Sequence, residues 1–259
     1  MLELPKYPVV YRTQDKFDKI IAVGDVHGCY AELQELLLLT TQECLYDAKI
    51  CRIFLGDLID RGPNSKDCIN LVKSLTKTEN SFCVLGNHEL KHLQYQGHVI
   101  KGDKNMMQVN ADFLKTHAEL QEDDFDWMST LPAAIQWENF LFTHAGVVPG
   151  LTLNQPLKGF VRNRYIEKKN DKWVASSTWQ DSEGNWKHKE GAVYWADVYN
   201  GDTKIVYGHE PRKDICLINN TYGIDTSCAL GGRLTAMIID CETKEVTFSS
   251  VRSKQPYFL

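Results

Sequence analysis

The chain has 259 residues, 43% hydrophobic and 24% charged, with 29 basic residues against 34 acidic ones and a formal net charge of −5. These proportions exclude a disordered, collagen-like or membrane-embedded chain, and the acidic balance excludes the global positive field that draws proteins onto duplex nucleic acid. Any phosphate must be met by local charge. At ~100–200 residues per domain, the length allows one large domain or two small ones.

No basic n-region followed by an apolar run and a cleavage site opens the chain, and no stretch reaches the roughly 18 apolar residues that span a bilayer. A cytoplasmic protein away from membranes is expected. The eight cysteines form no C-x-x-C pair, and Cys51 and Cys83 sit inside apolar runs, so free thiols are expected.

Along the chain, five apolar runs end directly in a residue able to bind metal: IIAVGD, RIFLGD, FCVLGN, LFTH and IVYGH. Short apolar runs bounded by glycine read as buried strands, and residues 31–41 and 64–75 between them have helical periodicity. This is a βαβαβ opening, and parallel strands gather ligands at their carboxyl ends. Asp25, Asp57, Asn87, His144 and His209 are thus expected on one rim of a sheet. Residues 89–96, 106–120 and 123–131 look helical, the last stopped by Pro132, with Glu122-Asp123-Asp124 as a helix start and solvated face. Residues 151–200 read as a β-hairpin insertion around the turn 181–185. After His209, short alternating strands suggest a second, mixed or antiparallel sheet. The whole reads as a four-layer α/β sandwich, a single domain over residues 1–259.

The motifs carry specific chemistry. Gly24-Asp25-Val26-His27-Gly28 puts a carboxylate and an imidazole two residues apart, within reach of one ion; alternatively Asp25 caps the following helix. Gly56-Asp57-Leu58-Ile59-Asp60-Arg61-Gly62 combines a candidate bridging carboxylate, a candidate orienting carboxylate and a phosphate-binding guanidinium, or else holds a surface ion pair. Gly86-Asn87-His88-Glu89 offers an amide ligand followed by a histidine free to donate a proton. His144 and His209 add imidazoles from two more strand ends.

Together these motifs resemble the ordered signature of the calcineurin-like metallophosphoesterases, and D-R-G with N-H-E resembles its phosphoprotein-phosphatase branch. Residues 144–166 and 223–236 are similar to the ApaH-like diadenosine tetraphosphatases. The resemblance implies an α-β-β-α metallophosphoesterase sandwich holding two divalent ions, Mn²⁺ foremost, with Fe, Zn²⁺, Co²⁺ and Mg²⁺ as alternatives. Asp25 and His27 would hold the first ion, Asn87, His144 and His209 the second, and Asp57 both. His88 would protonate the leaving oxygen, Asp60 would orient His88, and Arg61 and Asn87 would bind phosphate together with Arg162 or Arg164.

The implied substrate is a phosphorylated small molecule, a dinucleoside polyphosphate or related nucleotide. A phosphoprotein or capped RNA, and hence a serine/threonine phosphatase, is the alternative, followed by a catalytically silent nucleotide-binding scaffold. Two departures stand out: the family usually has glycine where Ser227 stands and an aromatic residue where Leu230 stands. Eight aromatics between Phe160 and Tyr199 either stack a nucleobase or form the core of the insertion.

Overall fold

The computed structural model describes residues 10–44, 48–103, 106–181 and 186–258. Residues 1–9 and the expected turn at 182–185 lie outside them.

The βαβαβ opening is present. Strand β1 (Val10–Thr13) comes first; β2 (Lys19–Val23), α1 (Tyr30–Glu43), β3 (Ile50–Phe54), α2 (Ser65–Thr78) and β4 (Ser81–Cys83) then form the parallel run β2-β3-β4. Helices α3 (Asn87–Lys101), α4 (Ala111–Glu119) and α5 (Glu122–Ser129) follow, then the hairpin β5 (Ala134–Trp137) and β6 (Phe140–Thr143). The helix expected to begin at Met106 starts only at Ala111. Asn110 caps it by accepting the Phe113 amide at 2.9 Å, a bond an asparagine inside the helix could not make. The acidic run does start α5, but Asp124 is fully buried rather than solvated. It is paired with Lys66 and Lys73 of α2, which carry the cations that make its burial possible.

Beyond α6 (Leu157–Arg162), the insertion holds two small sheets. Strands β7 (Tyr165–Lys169) and β8 (Lys172–Ala175) pair with β11 (Val193–Tyr194), and β9 (Thr178–Gln180) with β10 (Trp186–His188) makes the expected hairpin. The last strands are β12 (Lys204–Tyr207), β13 (Cys216–Ile218), β14 (Thr221–Gly223), β15 (Arg233–Asp240) and β16 (Val246–Arg252). They do not build a sheet of their own. β14 lies parallel to β12 and completes the six-stranded order β1-β5-β6-β12-β14-β13, while β15 runs antiparallel to β2 and completes the five-stranded order β16-β15-β2-β3-β4.

The period of two in these strands divides the core. Ile20, Ala22, Cys51, Ile53, Met237 and Ile239 of one sheet meet Phe140, Phe142 and Val206 of the other in the layer between the sheets. Their neighbours face outward: Ile21, Val23 and Phe54 meet Leu33, Leu36 and Val72 of α1 and α2, and Leu141, Ile205 and Tyr207 join Phe160 and Trp195 of the insertion in the same cluster. At about 1.5–3 kcal/mol per fully buried large apolar side chain, this two-sided burial is what makes each short strand stable. All eight cysteines are buried, free thiols.

Candidate active site

Two sheets, not the rim of one, supply the site. Asp25 and His27 follow β2, Asp57 to Arg61 follow β3, and Asn87 and His88 open α3 after β4; His144 follows β6 and His209 follows β12. The loops after β2 and β3 are locked backbone to backbone: the Gly62 amide donates to His27 O at 2.9 Å and the Gly28 amide to Leu58 O at 2.8 Å. A Cβ on Gly28 would lie 2.7 Å from Gly62 O, so this approach requires glycine. His27, Asp57, Asp60, Arg61 and His209 all adopt positive φ, between 47° and 69°. At about 1–3 kcal/mol each, such strain persists only where the surroundings over-determine it, and here it is concentrated on the groups that converge.

The convergence centres on Asp57. Ligand atoms of His27, Asp57 and His88 lie within 4.8 Å of one another, and so do those of Asp57, His144 and His209. Asp57 Oδ2 is 3.6 Å from His27 Nε2, 3.4 Å from His144 Nε2 and 3.8 Å from His88 Nε2, while Oδ1 accepts the His88 amide at 2.9 Å. Asp25 stands at the margin, its Oδ2 3.9 Å from His27 Nε2 and both its oxygens 3.1 Å from the His209 amide. Asp60 Oδ2 is 2.6 Å from His88 Nδ1. Arg61 Nη1 is 2.8 Å from His27 Nε2, and its guanidinium lies 5.8 Å from the half-exposed ring of Phe258.

Of the two arginines left open by the sequence, Arg164 reaches the site: it donates to His209 O at 2.9 Å and pairs with Glu210 at 2.8 Å. Arg162, the last residue of α6, points into solvent. Most of the insertion's aromatics serve packing. Phe160, Tyr194, Trp195 and Tyr199 are buried, with Tyr194 Oη 2.9 Å from Tyr207 Oη, whereas Trp179 is exposed.

Titration follows this burial. Burial, then Arg61, holds His27 well below the ordinary histidine range; burial, then Arg164, does the same for His209, and burial lowers His144. Burial pulls Asp57 upward, but the facing His144, His88 and His27 outweigh it and hold its carboxyl below the ordinary carboxylate range. Burial, with Asp225 and Asp57 nearby, pushes Asp25 well up, and burial pushes Asp225 up to about 6.

This donor set fits divalent metal ions. His27 Nδ1–H donates to Ile59 O at 2.9 Å and His144 Nδ1–H to Leu55 O at 2.8 Å, which fixes both tautomers and leaves each Nε2 a lone pair. His144 Nε2 then faces Asn87 Oδ1 at 3.0 Å and Asp57 Oδ2 at 3.4 Å. Three lone-pair groups aimed at one another are relieved by a cation.

Two residues of the site escaped the sequence reading. Glu89, fully buried and pushed up to about 7 by burial and then Asp57, accepts the amides of Asp57, Leu58 and Gly86 at 2.8–3.1 Å. His92 lies behind Asp60, 3.0 Å from its Oδ1. The N-H-E motif named Glu89 but gave no partners, and His92 looks like any polar residue on a helix. Ser227 is left-handed at φ 64°, the conformation glycine adopts freely, and its Oγ donates to Arg212 O at 3.0 Å.

Two packed sheets whose strand ends close on a shared carboxylate, four imidazoles and two arginines define a metal-dependent phosphoesterase. The family model for calcineurin-like phosphoesterases matches residues 18–213, and the chain belongs to that family. Among curated relatives, the asymmetrical bis(5'-nucleosyl)-tetraphosphatase PrpE of Oceanobacillus iheyensis is 30% identical over 253 residues, covering 92% of this chain and 94% of that one. The symmetrical bis(5'-nucleosyl)-tetraphosphatase of Janthinobacterium sp. is 27% identical over 271 residues, covering 83% and 91%. A crystal structure assigned provisionally as a diadenosine tetraphosphatase shares the fold, with a TM-score of 0.72 at 24% identity over 95% of this chain and 99% of that one. Among the described residues, no helix is long and apolar enough to cross a membrane.

Proposed function

We propose that the protein hydrolyses phosphoanhydride bonds of dinucleoside polyphosphates or related nucleotides. The observation that carries this reading is the pair of ligand groups sharing Asp57. Relatives named for both symmetrical and asymmetrical tetraphosphatases supply the substrate class. In this reading Asp25 and His27 hold one divalent ion, Asn87, His144 and His209 a second, and Asp57 both, with Mn²⁺ foremost for such a mixed oxygen and nitrogen set. When bound, the ions supply an activated water and neutralise phosphoryl charge.

The chain's own residues do the rest. Asp60 holds His88 by Nδ1, which turns His88 Nε2 toward Asp57 and the shared space, where it delivers a proton to the leaving oxygen. Arg61, Arg164 and the Asn87 amide bind the phosphate, and the local positive charge answers the chain's overall −5. Groups from Asp25 to His209 build one site, so the protein works as a single domain with residues 151–200 as an insertion. Eight free thiols support a reducing, cytoplasmic setting.

The test is a side-by-side assay with Mn²⁺ on diadenosine tetraphosphate, a capped oligonucleotide, a nucleoside triphosphate and a phosphopeptide. Diadenosine tetraphosphate is expected to turn over fastest, and faster hydrolysis of the phosphopeptide overturns the substrate assignment. Two nucleoside diphosphates as products define symmetrical cleavage; a triphosphate and a monophosphate define asymmetrical cleavage.

A further inference from the structure

Asp60 has two carboxylate oxygens, and orienting His88 uses only one of them. The other, Oδ1, is 3.0 Å from His92 Nε2. His88 and His92 stand four residues apart on α3, one above the other on a single face, and the carboxylate arriving from the loop after β3 is clamped between them. The clamp needs this carboxylate to be held from both sides, because Asp60 itself sits at φ 68°, with its amide on Ser65 Oγ at 3.0 Å.

His92 is in turn held firmly. It is fully buried, its ring stacks on Phe113 of α4 with centroids 3.9 Å apart and planes 15° apart, and its Nδ1 is 3.1 Å from Nδ1 of His117. His117 Nε2 lies 3.1 Å from Gln96 Oε1, where the chain of contacts reaches a surface cavity of about 470 Å³ lined by Gln96, His117, Leu120 and Phe125. Burial lowers His92 against the pull of Asp60 and takes His117 down to about 4. The carboxylate accepts, so His92 donates from Nε2. Its Nδ1 is hydrogen-bonded to His117 Nδ1, and His117 Nε2–H donates to Gln96 Oε1.

We propose that His92 is a positioning residue for the reaction: supported by His117 and Gln96, it fixes the rotation of the Asp60 carboxylate and thereby aims His88 at the leaving oxygen. The proposal rests on the reading of His88 as the proton donor. Groups standing behind a reacting residue commonly contribute 10- to 100-fold to activity. A residue acting only through the acid has a particular signature, since a good leaving group needs no proton and a poor one does.

The test uses the full chain with Mn²⁺ and two aryl phosphates, p-nitrophenyl phosphate with a good leaving group and phenyl phosphate with a poor one. His92→Ala is expected to lower kcat for phenyl phosphate by roughly 10- to 100-fold. On p-nitrophenyl phosphate kcat should barely change, with KM and Mn²⁺ affinity unaltered on both. His92→Gln, whose amide can donate from nearly the same place, should restore most of the loss. In a His88→Ala background, His92→Ala should cost nothing more, because the interaction it serves is already gone. Should His92→Ala fail to fold, His117→Leu removes only the hydrogen-bond partner of His92 Nδ1 and should give the same leaving-group signature at smaller size. Equal losses on both substrates, or a loss that persists in the His88→Ala background, overturn the proposal in favour of a merely structural histidine. If His88→Ala is impaired on phenyl phosphate while His92→Ala is not, the proposal fails alone. Unchanged turnover in His88→Ala overturns the proton-donor reading and the proposal with it.

Discussion

At the scale of single residues, Asp57 bears the greatest demand. Its carboxylate alone belongs to both ligand groups, and its Oδ2 lies within 3.8 Å of three imidazoles. Asp57→Asn keeps the size and the Oδ1 acceptor but removes the charge, so metal content measured by mass spectrometry is expected to fall for both ions together, with activity. Full occupancy of both in that variant would remove the shared role. Asp25 makes a contrast: its two oxygens also share the His209 amide, so its influence reaches the second group through backbone. The metal-binding types were legible in the sequence because aspartate, asparagine and histidine directly after apolar runs are unusual places for side chains that need solvent. Glu89 and His92 were not legible. Each acts through partners about 30 residues away, Asp57 and Asp60, and helical periodicity says which face a residue occupies without naming what meets it there.

At the scale of elements, strand and helix identities followed from period, and misreadings arose where a side chain found a partner that the sequence does not display. Asn110 ended the reach of α4 toward Met106 by capping it. The strands after His209 alternate as antiparallel strands do, yet alternation cannot name a neighbour, and β14 and β15 joined opposite existing sheets. Asp124 is the clearest case, since a charge run at a helix start ordinarily faces water. Here its Oδ2 accepts the Gln121 amide at 2.8 Å while Lys66 and Lys73 fasten α5 to α2. Burial raises its carboxyl, but Lys66, the Gln121 amide and Lys73 outweigh this and depress it below the ordinary range. A depressed carboxyl stabilises the fold above its unfolded pKa of about 3.9, and that stabilisation is lost as pH falls through the folded value. Asp124→Asn should therefore be less stable by about 2 kcal/mol at pH 7 in urea unfolding. The gap should narrow below about pH 4. A gap that stays constant from neutral to strongly acidic pH would mean that the charge is not what joins the two helices.

At the scale of the molecule, the site is also the seam. The layer between the sheets is apolar, and polar links cross between them at the catalytic end, among them His144 Nδ1 to Leu55 O at 2.8 Å and the His209 amide to Asp25 at 3.1 Å. The opposite end of β2 opens instead into a cavity of about 850 Å³ lined by residues such as Lys19, Trp137 and Cys241, which has none of the site's groups. Metal ions held by Asp25, His27, Asp57 and Asn87 from one sheet and by His144 and His209 from the other would therefore bind the folded state and not the unfolded chain. At a free ion concentration 100 times the dissociation constant, this linkage amounts to about 2.7 kcal/mol. For a chain of this size that corresponds to a rise in Tm of roughly 5–10 °C. Calorimetry of the chelator-stripped protein before and after addition of Mn²⁺ measures it directly. The shift should grow with the logarithm of the ion concentration and should be nearly absent in Asp57→Asn. An equal shift in that variant would place the stabilising ion elsewhere on the molecule, and no shift in the parent protein would mean that the folded chain does not bind the ion in preference to the unfolded one.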